Sequence, residues 1–207
     1  MRGQGFGVAT ALTKTEPVTL ALAGALILSE PLGPGRIGAI LLATCGVLLA
    51  SGARWSGASL RAVATGVGAG ALFGLSAVGF RGAVLALPEG GHALRALTVL
   101  AMALAMQSVA MLAWMALFDR AALRGIAGAW RASLLAGALG AFASLFWFIG
   151  FSLTSAANVR TLALVEVVLA QLVSRRVMRE GIAPARLAGM GLIVLGVVWL
   201  LALTARG

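Results

Sequence analysis

Charge is scarce in this sequence. Only 11% of its 207 residues are charged, and six of these are acidic. A soluble domain carries roughly 25% charged residues, so a polar shell for a water-soluble globule cannot be built here. Cysteine is confined to Cys45, which excludes an internal disulfide and a cysteine-rich metal cluster. Its apolar surroundings make it a small buried hydrophobe. Histidine is confined to His92, in a loop beside Pro88-Glu89-Gly90-Gly91, and is expected to be neither ligand nor catalyst. No Ser-His-Asp grouping and no H-E-x-x-H helix is present, so neither an enzymatic activity nor a cofactor is expected.

What the sequence has in excess is apolar length. Its apolar share is 61% and its mean hydropathy is +1.03. That excludes a disordered chain and points to an all-α, polytopic transmembrane helix bundle. Seven spans lie between the charges: Gly5–Ser29, Ile37–Ala53, Ala62–Phe80, Ala96–Phe118, Ala132–Leu153, Ala156–Val177 and Leu187–Thr204. The connections carry turn chemistry, as in Pro31-Leu32-Gly33-Pro34-Gly35 and Gly181-Ile182-Ala183-Pro184. Met1-Arg2 resembles the start of a signal peptide, but Lys14, Glu16 and Pro17 interrupt the run. The segment reads as the start of a helix. On the third span Gly66, Gly70 and Gly74 recur every four residues, with Gly68 and Gly79 nearby. Small residues at that spacing let backbones approach closely in lipid.

The net charge of +10 comes from arginines scattered between the spans and from Lys14. No basic face with stacking aromatics accompanies it, so no nucleic-acid partner is expected; the bilayer is the partner. Counted by side, the N-terminal side carries Arg2, Arg54, Arg61, Arg120, Arg124, Arg131, Arg175, Arg176, Arg179 and Arg186, and Lys14 within its span. The other carries Arg36, Arg81, Arg95, Arg160 and Arg206. The positive-inside rule then places the N-terminus in the cytoplasm.

A shift of 150 residues superposes the two ends of the chain. Glu16 falls on Glu166, Glu30 on Glu180, Pro34 on Pro184, Arg36 on Arg186, and Gly46-Val47 on Gly196-Val197. Apolar matches are cheap in such a composition, but two Glu, one Pro and one Arg in register are not. The chain thus holds two copies of a helix-turn-helix unit, with three further spans before the second. A five-helix unit occurring twice gives about ten spans, and an odd number per repeat inverts the second copy in the bilayer.

Ionisable residues inside spans are functional candidates by default. Glu16 and Glu166 each lie about twelve residues from one end of their span, near mid-depth. They are candidates for substrate or proton binding, or for bridging neighbouring helices. Lys14 is two residues from Glu16 and points elsewhere, so it would neutralise a glutamate on another helix. Arg160 lies close enough to a helix end to snorkel or to face a cavity. Gln171 would line the side of Glu166 or bond another helix. Trp147, with Phe146 and Phe148, would form an aromatic cavity wall or pack toward lipid. Pro17 would kink its helix. Glu30 and Glu180 end their spans beside turns and read as interfacial structural residues.

The stretches Thr15-Glu16-Pro17-Val18, Leu26-Ile27-Leu28-Ser29-Glu30, Gly38 and Gly46-Val47 resemble the end of an EamA repeat of the drug/metabolite transporter superfamily. So do Leu164-Val165-Glu166-Val167-Val168-Leu169-Ala170, Glu180, Gly189 and Gly196-Val197. The resemblance implies a ten-helix carrier with a central cavity between inverted repeats. Residues 1–53 would be the last two helices of the first repeat and 54–207 the complete second, with three front helices lacking. Arg175, Arg176 and Arg179 depart from the pattern. The resemblance also implies a cytoplasmic C-terminus, against the charge count. The function so implied is export or uptake of small metabolites or amphipathic compounds by alternating access at the cell inner membrane, with protons as the candidate coupling ion. The alternative is a non-transporting truncated protein or scaffold, its bundle completed by a homodimer or complementary helices.

Overall fold

The computed structural model describes residues 2–53, 59–178 and 183–205. Among these residues all regular structure is helical: α1 (Arg2–Thr13), α2 (Glu16–Leu28), α3 (Pro34–Ala50), α4 (Leu60–Ala86), α5 (His92–Phe118), α6 (Arg120–Gly128), α7 (Trp130–Leu153), α8 (Ala156–Ala163), α9 (Val165–Met178) and α10 (Pro184–Thr204). Among the described residues six segments are long and apolar enough to cross a membrane: Gly7–Leu28, Leu60–Ala86, His92–Phe118, Trp130–Leu153, Ala156–Ser174 and Pro184–Thr204. The second expected span begins earlier than read, at Pro34, and stops at Ala50. Its 17 residues reach about 26 Å, short of a hydrocarbon core of roughly 30 Å. Pro34 sets its start, because proline at a first helical turn lacks only a donor that has no partner there. Just beyond its end, Gly52 takes φ +64°.

The chain divides into two compact units. Met1–Gly79 and Ser155–Gly207 form the first, and Phe80–Thr154 the second. Helix α4 contributes to both.

The first unit is organised on α3 and α10. An added Cβ at Gly46 would lie 2.7 Å from both Gly189 O and Ile193 N; one at Gly196 would lie 2.7 Å from Ala43 N and 2.8 Å from Ala39 O. As residue numbers rise along α3 they fall along α10, so the helices run antiparallel. The contacts are also reciprocal under the 150-residue shift: Gly46 corresponds to Gly196, and Gly189 and Ile193 to Ala39 and Ala43. The same pattern is therefore used twice, once from each side. Ala43, Val47, Ala50, Leu164, Ile193 and Val197 close a core around this contact. Cys45 is exposed, against expectation. It sits one position off the buried line of Ala43, Gly46 and Val47, about 100° around the helix.

Gly66 and Gly70 make the expected close approach, against Ala9 O and Thr13 O, where a Cβ would come within 2.5 and 2.9 Å. Gly68 and Gly79 have nothing within 4 Å and serve no such contact.

In the second unit, Val84, Ala96, Val99, Leu100 and Phe148 form the core between α4, α5 and α7. Arg81 donates from a terminal nitrogen to Phe151 O. His92 is the first residue of α5 rather than a loop residue, and its Nδ1 donates to Ser152 O at 3.1 Å. Two basic side chains thus hold the last carbonyls of α7, where the helix dipole is negative. Arg81→Ala is expected to destabilise the chain in detergent by about 1–3 kcal/mol, since it leaves a buried carbonyl without its donor. Denaturant titration checks this, with faster hydrogen exchange confined to the last turn of α7.

Candidate functional site

Two of the apolar spans are broken, at positions equivalent under the 150-residue shift. The first is interrupted at Lys14-Thr15, where Lys14 N bonds Ala11 O at 3.2 Å and Thr15 N bonds Leu12 O at 3.1 Å. The second is interrupted at Leu164, whose N bonds Thr161 O at 3.1 Å. These i→i−3 bonds tighten the last turn before each break. Threonine hydroxyls occupy neighbouring carbonyls: Thr13 Oγ1 donates to Thr10 O at 2.7 Å, Thr15 Oγ1 to Leu12 O at 2.8 Å, and Thr161 Oγ1 to Ala157 O at 2.7 Å. Broken backbone inside a span is tolerated where protein groups or a cavity satisfy it.

Each second half-helix opens with a glutamate. Glu16 is the first residue of α2 and Glu166 lies in the first turn of α9. Both therefore sit where the helix dipole is positive and favours a carboxylate. Pro17 is the second residue of α2, so it restarts a helix rather than kinking a continuous one.

The four ionisable candidates of this unit form two ion pairs. Arg160 Nε lies 3.0 Å from Glu16 Oε1, and its Nη2 donates to Glu16 Oε2 at 3.3 Å. The two charges are thus close, with one hydrogen bond from Nη2, while Nε makes none. Arg160 does not snorkel as one reading allowed. It turns inward, its guanidinium 4.2 Å from the Phe73 ring centroid, and only 13% of the side chain is exposed. Lys14 pairs with Glu166, and these side chains are 37% and 56% exposed. Both pairs cross between the two copies: each copy contributes one acid and one base. The four charges sum to zero.

The remaining candidates stand apart. Gln171 is half-buried on α9, five residues past Glu166 and thus about 140° around the helix from it. Glu30 follows the left-handed Ser29 that ends α2, with its N bonded to Gly24 O at 3.2 Å. Its carboxylate lies against Gly24, in a small recess shared with Arg36, Ser155 and Asn158. Glu180 lies outside the described residues, as does Arg179 beside it.

Trp147 belongs to the second unit. It is half-buried, its ring centroid 6.3 Å from that of Phe151. Phe148 is buried against Phe80 at 4.9 Å, while Phe146 is exposed and pairs with Phe142. Three consecutive helical residues point about 100° apart, so the three rings face different sides of α7. This unit holds an apolar cleft of about 490 Å³ between the end of α4 and α5, lined among others by Phe80, Val99, Met102 and Met106.

Several long apolar helices, two of them broken at paired charges, define a multi-pass membrane protein. The family model of the EamA-like transporter family matches residues 60–202, and the chain belongs to that family. The family is one of transporters and not of enzymes. The matched stretch contains Arg160 and Glu166 but not Lys14 and Glu16. Among the curated proteins no match is found.

Proposed function

We propose that this transporter moves small metabolites or amphipathic compounds across the cell inner membrane by alternating access. Residues 1–53 act as the last two helices of a first five-helix repeat, and 54–207 as the second. The observation that carries the reading is the cross-paired quartet of Lys14, Glu16, Arg160 and Glu166 at two equivalent helix breaks. Charges inside apolar spans are expensive and persist where they bind substrates or ions. Half-helix ends at mid-span are the usual construction of carrier sites. Because both pairs cross between the copies, a rocking of one copy against the other must stretch or exchange them. The more exposed Lys14–Glu166 pair is the entry side of the site, and the buried Arg160–Glu16 pair its floor. A proton taken up by a carboxylate would release its basic partner, which couples proton movement to the rocking.

Glu166→Gln tests this. The variant keeps shape and hydrogen-bonding capacity but loses the charge. Substrate-dependent flux in proteoliposomes is expected to fall at least tenfold, with normal insertion and yield. Unchanged flux would overturn the assignment of the quartet.

A second reading is a scaffold whose bundle is completed by a partner helix set or by a second copy. The small buried share of the α7 span, 11%, favours it. An absence of flux for every solute tried, together with a stable oligomer in mild detergent, would select it.

A further inference from the structure

Helix α6 is a nine-residue amphipathic segment between the spans α5 and α7. Arg120 and Arg124 lie on one face, with Ile126 roughly opposite and Leu123 at the boundary. Asp119 is the only acid of the segment, and its carboxylate already caps the helix by accepting from Ala122 N at 3.0 Å. Arg120 Nε donates to Ala116 O at 3.0 Å, which folds its guanidinium back over the last turn of α5. Arg124 Nε is directed at Arg120 O at 3.4 Å. In both, the terminal N–H donors remain for a ligand. Arg131 stacks on Trp130, its guanidinium carbon 5.3 Å from the ring centroid. Trp114 and Trp130 are both exposed, one on each flanking span.

A largely apolar furrow of about 560 Å³, with Gln107 and Ser108 also in its lining, runs along α5 from Leu104 past Met111 to Trp114, toward the turn over which Arg120 folds. A site for phosphate alone would need the arginines and no furrow. Arginines on the segment that follows such a furrow, with exposed tryptophans on both flanking spans, fit a charged headgroup with an acyl chain behind it. At the opposite end of this unit Arg81 and His92 are engaged with carbonyls of α7. Arg95 also lies at that end, its Nε buried without a hydrogen-bond partner, so the larger group of basic side chains, the three arginines, is the one at the α6 end.

We propose that Arg120, Arg124 and Arg131 form a binding site for an anionic phospholipid, with α6 lying in the membrane interface and an acyl chain along the α5 furrow. The proposal is independent of what the protein transports.

Native mass spectrometry of the full chain tests it, with equal amounts of dioleoyl-phosphatidylglycerol and dioleoyl-phosphatidylcholine. The wild type should retain phosphatidylglycerol over phosphatidylcholine by roughly fivefold or more, given about 1 kcal/mol per basic residue near an anionic surface. The variant R120Q/R124Q/R131Q should bring the ratio close to one at unchanged helical content. Equal retention of the two lipids by the wild type would overturn the proposal without recourse to any variant. So would a preference unchanged in the variant. Loss of the phosphatidylglycerol adducts on adding millimolar inorganic phosphate would overturn the lipid assignment in favour of a free-phosphate site.

Discussion

Gly189→Leu is expected to prevent stable assembly of the first unit. A single Cβ at this position would meet Ala50 N at 2.5 Å and Gly46 O at 2.7 Å. Both are backbone atoms, so no side chain can swing away to relieve the clash. Gly189→Ala alone should cost about 1–3 kcal/mol by overpacking, and leucine more, because the α3 and α10 backbones would have to separate. Separation would also open the core of Ala43, Val47, Ile193 and Val197. Gly191→Ala provides the control. It lies two residues away on the same helix with nothing within 4 Å of an added Cβ. There alanine should be neutral or stabilising by up to about 1 kcal/mol, from helix propensity. Thermal or denaturant unfolding in detergent measures both. Equal effects at the two glycines would show that the α3–α10 contact is not what sets stability.

The second large effect is expected at Arg160. Removing one member of a buried ion pair leaves the other charge without its partner. Such losses run to about 3–5 kcal/mol, so Arg160→Ala should destabilise strongly. Lys14→Ala breaks the more exposed pair and should cost about 0–1 kcal/mol. Glu16→Gln introduced into Arg160→Ala should recover part of the loss, because the uncompensated carboxylate is then gone. A double-mutant cycle over Arg160 and Glu16 should give a coupling of about 2–3 kcal/mol, against a few tenths between Arg160 and Lys14. A coupling near zero for Arg160 and Glu16 would mean that the buried ion pair contributes nothing net. Stability and flux are expected to separate here: Lys14→Ala should fold normally yet transport poorly.

Much of this architecture was legible in the sequence because in a bilayer the composition of a segment largely decides its fate. Six of the seven segments read between the charges are helices long and apolar enough to span. The reciprocal α3–α10 contact was foreshadowed by Gly46 and Gly196 falling in register. The break at Lys14-Thr15 was partly visible through Pro17. The break at Leu164 was not, since Thr161-Leu162-Ala163-Leu164-Val165 contains neither glycine nor proline. Only the correspondence with residues 11–15 could have revealed it. Arg160 stayed open between snorkelling and facing a cavity because its partner lies 144 residues away, and no local pattern encodes that meeting. Helix α6 was passed over because nine residues between two long apolar runs look like a charged loop. The offset of Arg120 and Arg124 from Leu123 and Ile126 was the available signal. Cys45 and the Phe146-Trp147-Phe148 run show the remaining limit: an apolar stretch does not say which side of a helix is covered.

The distance along the chain between paired charges bears on how the protein is made. Lys14 and Glu166 are 152 residues apart, and Glu16 and Arg160 are 144. At a synthesis rate of about 5–20 residues per second, the span that carries Lys14 and Glu16 must wait roughly 7–30 s for its partners to emerge. During that interval it is the least hydrophobic of the six spanning segments, with a lysine, a glutamate and a proline near its centre. Its release into lipid has to be delayed, or its two charges sheltered by the insertion machinery, until α8 and α9 arrive. That span is thus completed only after the later helices α3 to α7 have been made, and its insertion does not simply follow the order of translation.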